Sequence, residues 1–196
     1  MHDCIFTGFC VNGECDKACP DYVESTYLME KNNISLKSSV FHADPKLIQK
    51  YFNIVTTAEE KKLTTVIANN TNEAAELLTY CGICKHWKHS RLHMVVYNLR
   101  FSQYLDNVQK SWNTKGMTEE TEYVKIWSEN AKLLIISNID YVNFKEFQCQ
   151  TLLSLIQNRD ANKLSTIIVS PQIKSLAGDG AFFSQMKNLM TNSIQK

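Results

Sequence analysis

The chain has 196 residues, with 21 lysines and arginines against 20 aspartates and glutamates, for a net charge of +1. That balance argues against a broad basic face built to grip duplex DNA, and no apolar stretch approaches the ~20 residues of a membrane span. A core of ~150 residues can bury roughly two-thirds of its unfolded surface without an external staple. The first twenty residues are too few for a core, yet they hold four of the seven cysteines. Met1-His2-Asp3-Cys4 has neither the basic nor the apolar region of a secretory signal, so a reducing, cytoplasmic setting is expected.

Cys4, Cys10, Cys15 and Cys19 follow the spacing C-x5-C-x4-C-x3-C. In a reducing compartment, clustered cysteines read as metal ligands. Four thiolates at ~2.3 Å complete a zinc tetrahedron and leave no position for water, so the expected ion is structural zinc. Gly8 and Asn12-Gly13 supply turns. Four thiolates also suit an iron–sulfur cluster, and free cysteines are the blandest alternative. Pro20 ends this segment, and Asp21 is placed to cap a helix from about Tyr22 to Lys31.

A polar linker follows from Asn32. Asp44-Pro45 opens a short helix, with Asp44 as cap and Leu47, Ile48, Tyr51 and Phe52 as its apolar face. From Leu63, strands alternate with helices. Strands are expected at 63–68, 93–97, 132–137 and 165–170. Helices are expected at 72–89, 101–112, from 118, at 144–158 and at 182–192. The strand at 132–137 is the most apolar and is expected at the centre. This alternation predicts an α/β fold, a parallel sheet with helices on both faces, preceded by the small zinc-binding segment. The expected organisation is a zinc module and helix over 1–33, a linker and short helix over 34–62, and the α/β domain over 63–196.

Between Cys81 and His89 lies C-G-I-C with His86 and His89 beyond it. A second metal site is one reading. Cysteines buried along a helix are the simpler one, and Gly82 is an odd helix residue that suggests an early end. A redox role for the pair is weaker, because such a motif should open a helix rather than close it. Lys85, Trp87, Lys88 and Arg91 form the most basic local patch, of a kind that suits single-stranded nucleic acid. A solvated helix end, where cations are favoured without any ligand, is the preferred reading. His42 and His93 are isolated, and no nucleophile–histidine–acid arrangement is evident.

Leu133-Leu-Ile-Ile-Ser-Asn-Ile-Asp140, Leu155-Ile-Gln-Asn-Arg159 and Ser165-Thr-Ile-Ile-Val-Ser-Pro171, in this order of elements, resemble the AAA+ domain of the DnaC/DnaI family of bacterial helicase loaders. The similarity covers about Leu63 to Met190, and the cluster at Cys4 to Cys19 looks like a reduced version of the cysteine-rich module of the DnaI type. The resemblance implies a P-loop-like ATPase fold, but the ATPase residues depart from it. A phosphate loop needs glycines, a lysine and a hydroxyl. Here the matching stretch is Ala68-Asn-Asn-Thr-Asn-Glu73, and Ala74 and Ala75 stand where the lysine and hydroxyl would be. Glu73 close to a phosphate would cost about 4 kcal/mol at 4 Å in a medium of dielectric near 20. The helix terminus returns under about 1 kcal/mol.

Ser137 and Asn138 stand where the two acids that would hold magnesium are expected. Asp140 is either a residual acid or a turn cap. Where a basic finger would open the last helix stands Ser184-Gln185-Met186, with Lys187 the nearest cation, lacking arginine's planar fork. The family's fifth strand has only Ser193-Ile-Gln-Lys196 to form it, so that strand is expected to be missing or supplied by a partner. The expectation is a pseudo-ATPase of phage or mobile-element origin. It would be a non-catalytic adaptor in DNA replication whose partner is the replicative helicase or a competent AAA+ subunit. The alternative is a single-strand-binding protein using the zinc module and the Lys85–Arg91 patch.

Overall fold

The computed structural model describes residues 20–35, 38–90, 95–113, 119–139, 145–171 and 181–194. The four N-terminal cysteines, with the expected zinc site, lie outside them. The elements run α1 (Pro20–Lys31), a 3-10 turn (Ser39–His42), α2 (Pro45–Lys61), β1 (Leu63–Ile67), α3 (Thr71–Ser90), β2 (Val96–Arg100), α4 (Phe101–Asn113) and α5 (Glu119–Asn130). They continue with β3 (Leu133–Ser137), α6 (Glu146–Ala161), β4 (Ser165–Ser170) and α7 (Ala181–Asn192). The architecture is α/β: four parallel strands in the order β1-β4-β3-β2, covered on both faces. It is compatible with a P-loop-like fold.

The two interior strands are buried along their whole length, which is why β3 and β4 read as continuous apolar or β-branched runs. On one face Val66, Val96, Leu133, Ile135, Ile167 and Val169 pack against α2 and α3. Leu28 and Met29 of α1, with Ile34, join this same cluster, so the core begins well before Leu63. On the other face Leu99, Leu134, Ile136 and Ile168 pack against α4 to α7.

Several boundaries differ from expectation. Helix α1 starts at Pro20, which occupies its first turn instead of closing the preceding segment, so Asp21 lies inside the helix. Asp44 does cap α2, its carboxylate accepting from the Lys46 amide at 2.7 Å. The helix, however, runs 17 residues. Its second half carries the β-branched run Ile54-Val-Thr-Thr57, a mild helix opponent costing under about 0.7 kcal/mol per residue. Burial of Ile54 and Val55 contributes about 1.5–3 kcal/mol each and wins.

Strand β2 sits at Val96–Arg100, three residues later than the expected start at His93, and passes into α4 with no loop. Gly82 does not end α3. A Cβ there would meet Leu133 Cδ2 at 3.0 Å and the Val96 methyls at 3.2 Å. The missing side chain is what lets α3 close on β2 and β3. Among the described residues the sheet has four strands and no fifth, but an isolated bridge stands beside β1. The Thr65 amide donates to the Ser193 carbonyl at 2.7 Å, and Thr65 forms a parallel bridge with Ile194.

Candidate functional site

In an open parallel sheet, ligands bind beyond the carboxyl ends of the strands where neighbouring connections leave over opposite faces. Here that point lies between β1 and β4. The chain leaves β1 through α3 on one face toward β2 at the far edge. It leaves β4 toward α7 on the other face and ends beside β1. The stretch matched to a phosphate loop falls at this point.

Its geometry follows from its residues. β1 ends at Ile67 and α3 starts at Thr71, leaving only Ala68, Asn69 and Asn70 between them. The Ala68 amide is already committed to the Ser170 carbonyl at 3.0 Å. Asn70 caps the helix: its Oδ1 accepts from the Glu73 amide at 3.2 Å, and its Nδ2 donates to the Glu73 carboxylate at 3.1 Å. The helix N-terminus, the natural seat of an anion, is thus held by the protein's own amide and carboxylate. Ala74 and Ala75 are buried, in the core cluster that α3 shares with α2.

At the end of β3, Ser137 is buried and its Oγ donates to Asn98 Oδ1 at 3.3 Å. Asn138 follows in the left-handed region (φ 53°), which asparagine tolerates better than most residues. Asp140 lies outside the described residues. On α7, Met186 is buried in the core and Lys187 is exposed.

Of the basic patch, only the Lys85 side chain is among the described residues, and it is engaged. Lys85 Nζ pairs with Glu59 Oε2 at 2.9 Å, donates to Thr56 Oγ1 at 2.9 Å and lies 5.8 Å from the Phe52 ring centroid. His86 is buried and hydrogen-bonds the other Glu59 oxygen. These contacts bind the end of α3 to α2. The side chains of Trp87 and Lys88, and all of Arg91 and His93, lie outside the described residues, as does the side chain of His42.

Cys81 is buried and Cys84 half-buried along α3, as the simpler reading had it. Burial pushes their thiols up to about 12 and about 11, far from a reactive thiolate. Among the described residues no group of three or more histidine, cysteine or carboxylate side chains is placed to hold a metal. None of the described helices is long and apolar enough to cross a membrane.

Sequence reasoning singled out neither of two further features. Arg159, matched to a polar helix-end turn, is completely buried. Its guanidinium donates to the carbonyls of Ser128 (2.8 Å), Ala131 (2.8 Å) and Ser165 (2.6 Å) and to Thr166 Oγ1 (3.0 Å). Burial without a described counter-ion lowers its pKa to about 10. It stands at the amino ends of β3 and β4, opposite the switch point.

The second feature is a cleft of about 750 Å³ on the outer side of β2, between the end of α1, α4 and α5. Tyr97, Leu99, Tyr104, Tyr123 and Trp127 line it, and Lys31, Arg100, Asp106 and Glu119 stand round it. Trp127 meets Tyr97 and Tyr123 edge-on, both at 5.6 Å, and Lys31 Nζ lies 5.8 Å from its ring centroid. These residues come from three separate helices and a strand, so no local pattern announces them.

Compared with protein families, with curated proteins and with solved structures, the chain matches none.

Proposed function

We propose that this chain is a non-catalytic adaptor related to bacterial helicase loaders, acting through protein–protein contacts in the DNA replication of a phage or mobile element. The observation that carries the proposal is the state of the switch point. A three-residue connection without glycine cannot wrap phosphates, and the Asn70–Glu73 pair occupies the helix terminus that would receive them. The all-parallel sheet with helices on both faces supports a P-loop-like ancestry, and Ser137 and Asn138 supply no carboxylate for magnesium.

A protein with this fold and no phosphate cradle works through its surfaces. The replicative helicase, or a catalytically competent AAA+ subunit, is the partner that the resemblance implies. The zinc knot at Cys4, Cys10, Cys15 and Cys19 belongs to the same proposal as a docking element. The nucleic-acid alternative is weakened because Lys85, the first member of its patch, is tied to Glu59.

Isothermal titration calorimetry with Mg-ATP and Mg-ADP tests the central claim, followed by size-exclusion binding to the purified helicase. No nucleotide heat together with a helicase complex is the expected result. Tight Mg-nucleotide binding that perturbs Thr71 and its neighbours would overturn the proposal.

A further inference from the structure

The cleft beside β2 is bordered by polar groups that the protein itself leaves unused. Tyr97 lines it and is only 6% exposed. Among the described residues its hydroxyl has no hydrogen-bond partner, and burial alone pushes the phenol up to about 12, so it keeps its proton. A buried hydroxyl without a partner is uncommon and points to a group supplied from outside. Arg100, at the carboxyl end of the same strand, is half-buried, whereas Asp106 of α4 and Glu119 of α5 are exposed. None of these charges, nor Lys31, forms an ion pair with a described residue. The charge that has lost water at the cleft is therefore a cation, and the carboxylates keep theirs.

We infer that the cleft is a binding site for a small aromatic monocarboxylate. A half-buried guanidinium without a counter-ion favours a carboxylate, which its planar fork holds through paired hydrogen bonds. The Tyr97 hydroxyl adds a neutral donor. The exposed carboxylates select for a single charge, because Asp106 and Glu119 repel a phosphate or polyphosphate more strongly than a monoanion. The walls select for a flat ring. Trp127 is inclined at 77° to Tyr97 and 66° to Tyr123, with centroids 5.6 Å apart in both pairs. A flat guest stacked on one of these rings meets the next edge-on, and these are the two arrangements that aromatic rings prefer. A volume of about 750 Å³, with few polar groups among aromatic side chains, falls in the range of small-molecule sites, roughly 300–1,000 Å³. Strand β2 lies at the far edge of the sheet from the switch point between β1 and β4. This inference can therefore fail while the adaptor proposal stands, and the reverse.

The test is isothermal titration calorimetry of the full chain with naphthalene-2-carboxylate. Naphthalene-2-carboxamide, cyclohexanecarboxylate and 2-naphthyl phosphate serve as comparisons, and far-UV circular dichroism confirms that each variant is folded. The aromatic acid is expected to bind with a Kd below about 1 mM, the affinity in reach of a ligand its size. The amide, the aliphatic acid and the phosphate should each bind about tenfold more weakly or worse, since each lacks one selected feature. Tyr97→Phe should raise the Kd of the acid about tenfold, the ratio for losing a hydrogen bond to a charged group. Arg100→Gln should raise it by about tenfold or more while leaving the amide within about twofold, because only the charged ligand uses the guanidinium. Absence of binding by the acid at millimolar concentration overturns the inference. So does an amide or phosphate held as tightly as the acid, or an Arg100→Gln chain that binds the acid like the parent.

Discussion

The backbone amide of Asn98, on edge strand β2, donates to the side-chain oxygen of Asn32 at 2.8 Å, and the Asn98 side-chain amide donates back to the Asn32 carbonyl at 3.3 Å. Asn32 Nδ2 then reaches the Leu28 carbonyl at 2.9 Å. Ser137 donates to Asn98 from the other side, at 3.3 Å. Both asparagines are buried, so the chain of bonds satisfies groups that have no water. It also secures the end of α1 to an edge that would otherwise offer unpaired amides to another strand.

Asn32→Ala should therefore destabilise the protein by about 2–4 kcal/mol. It strands the Asn98 amide in a dry site and removes two hydrogen bonds, and an unsatisfied buried donor costs about 1–3 kcal/mol by itself. Urea unfolding followed by circular dichroism measures the change. Hydrogen exchange should locate it, with the Asn98 amide exchanging at least tenfold faster.

Arg159 is held by four neutral acceptors. Arg159→Ala leaves three carbonyls and a hydroxyl at the amino ends of β3 and β4 without their partner. A loss of about 3–5 kcal/mol is expected, since each buried acceptor left unsatisfied costs about 1–3 kcal/mol and the groups can partly relax. Arg159→Lys should recover only part of it, since a point charge with three donors cannot reproduce the planar fork. Thermal melts of the two variants decide the order.

Glu59 makes stability depend on acid pH. Burial alone would raise its carboxyl, but hydrogen bonds and charge from Lys85 and His86 outweigh burial and hold it below its ordinary 4.5. The unfolded chain thus takes up this proton at a higher pH than the folded one, and below that point acid favours unfolding. The contribution is complete above pH 4.5 and is lost as pH falls through the folded value. Glu59→Gln should flatten the stability–pH curve in that window relative to the parent. Denaturant midpoints between pH 3 and pH 6 provide the comparison.

Gly82 is required by a close approach, as its φ is not in the left-handed region. Gly82→Val adds methyl groups where even a Cβ meets Leu133 and Val96 at 3.0–3.2 Å. Overpacking of this kind costs about 1–3 kcal/mol, and the gain in helix propensity over glycine is under about 1 kcal/mol. A net fall in denaturant midpoint is expected. A rise would mean that α3 can lift from the sheet without loss.

What the sequence disclosed follows from how local each cause is. Strand β4 begins and ends where expected because its signals are adjacent: a turn at Asn162-Lys163, a β-branched run and then Pro171. The parallel α/β arrangement was legible for the same reason. Strand β2 was misplaced because Asn98 looks like a strand breaker until Asn32, 66 residues away, is seen to satisfy it. Arg159 entered only as the end of the Leu155–Arg159 motif, since the carbonyls that bury it belong to Ser128 and Ala131, outside that helix. The lack of glycine between Ala68 and Asn70 was visible in the sequence, whereas the Asn70–Glu73 cap needed coordinates. The aromatic cleft joins residues from Lys31 to Trp127 and has no periodicity to reveal it.

The seating of Ser193 and Ile194 beside Thr65 has a consequence for synthesis on the ribosome. The residues that flank β1, namely those of β4 and the pair Ser193 and Ile194, are made about a hundred residues later or more. At about 5–20 residues per second, β1 emerges roughly 5–20 s before anything exists to pair with it. During that interval Leu63–Ile67 is a naked apolar strand, and shielding by α2, already translated, is what the nascent chain has to offer it.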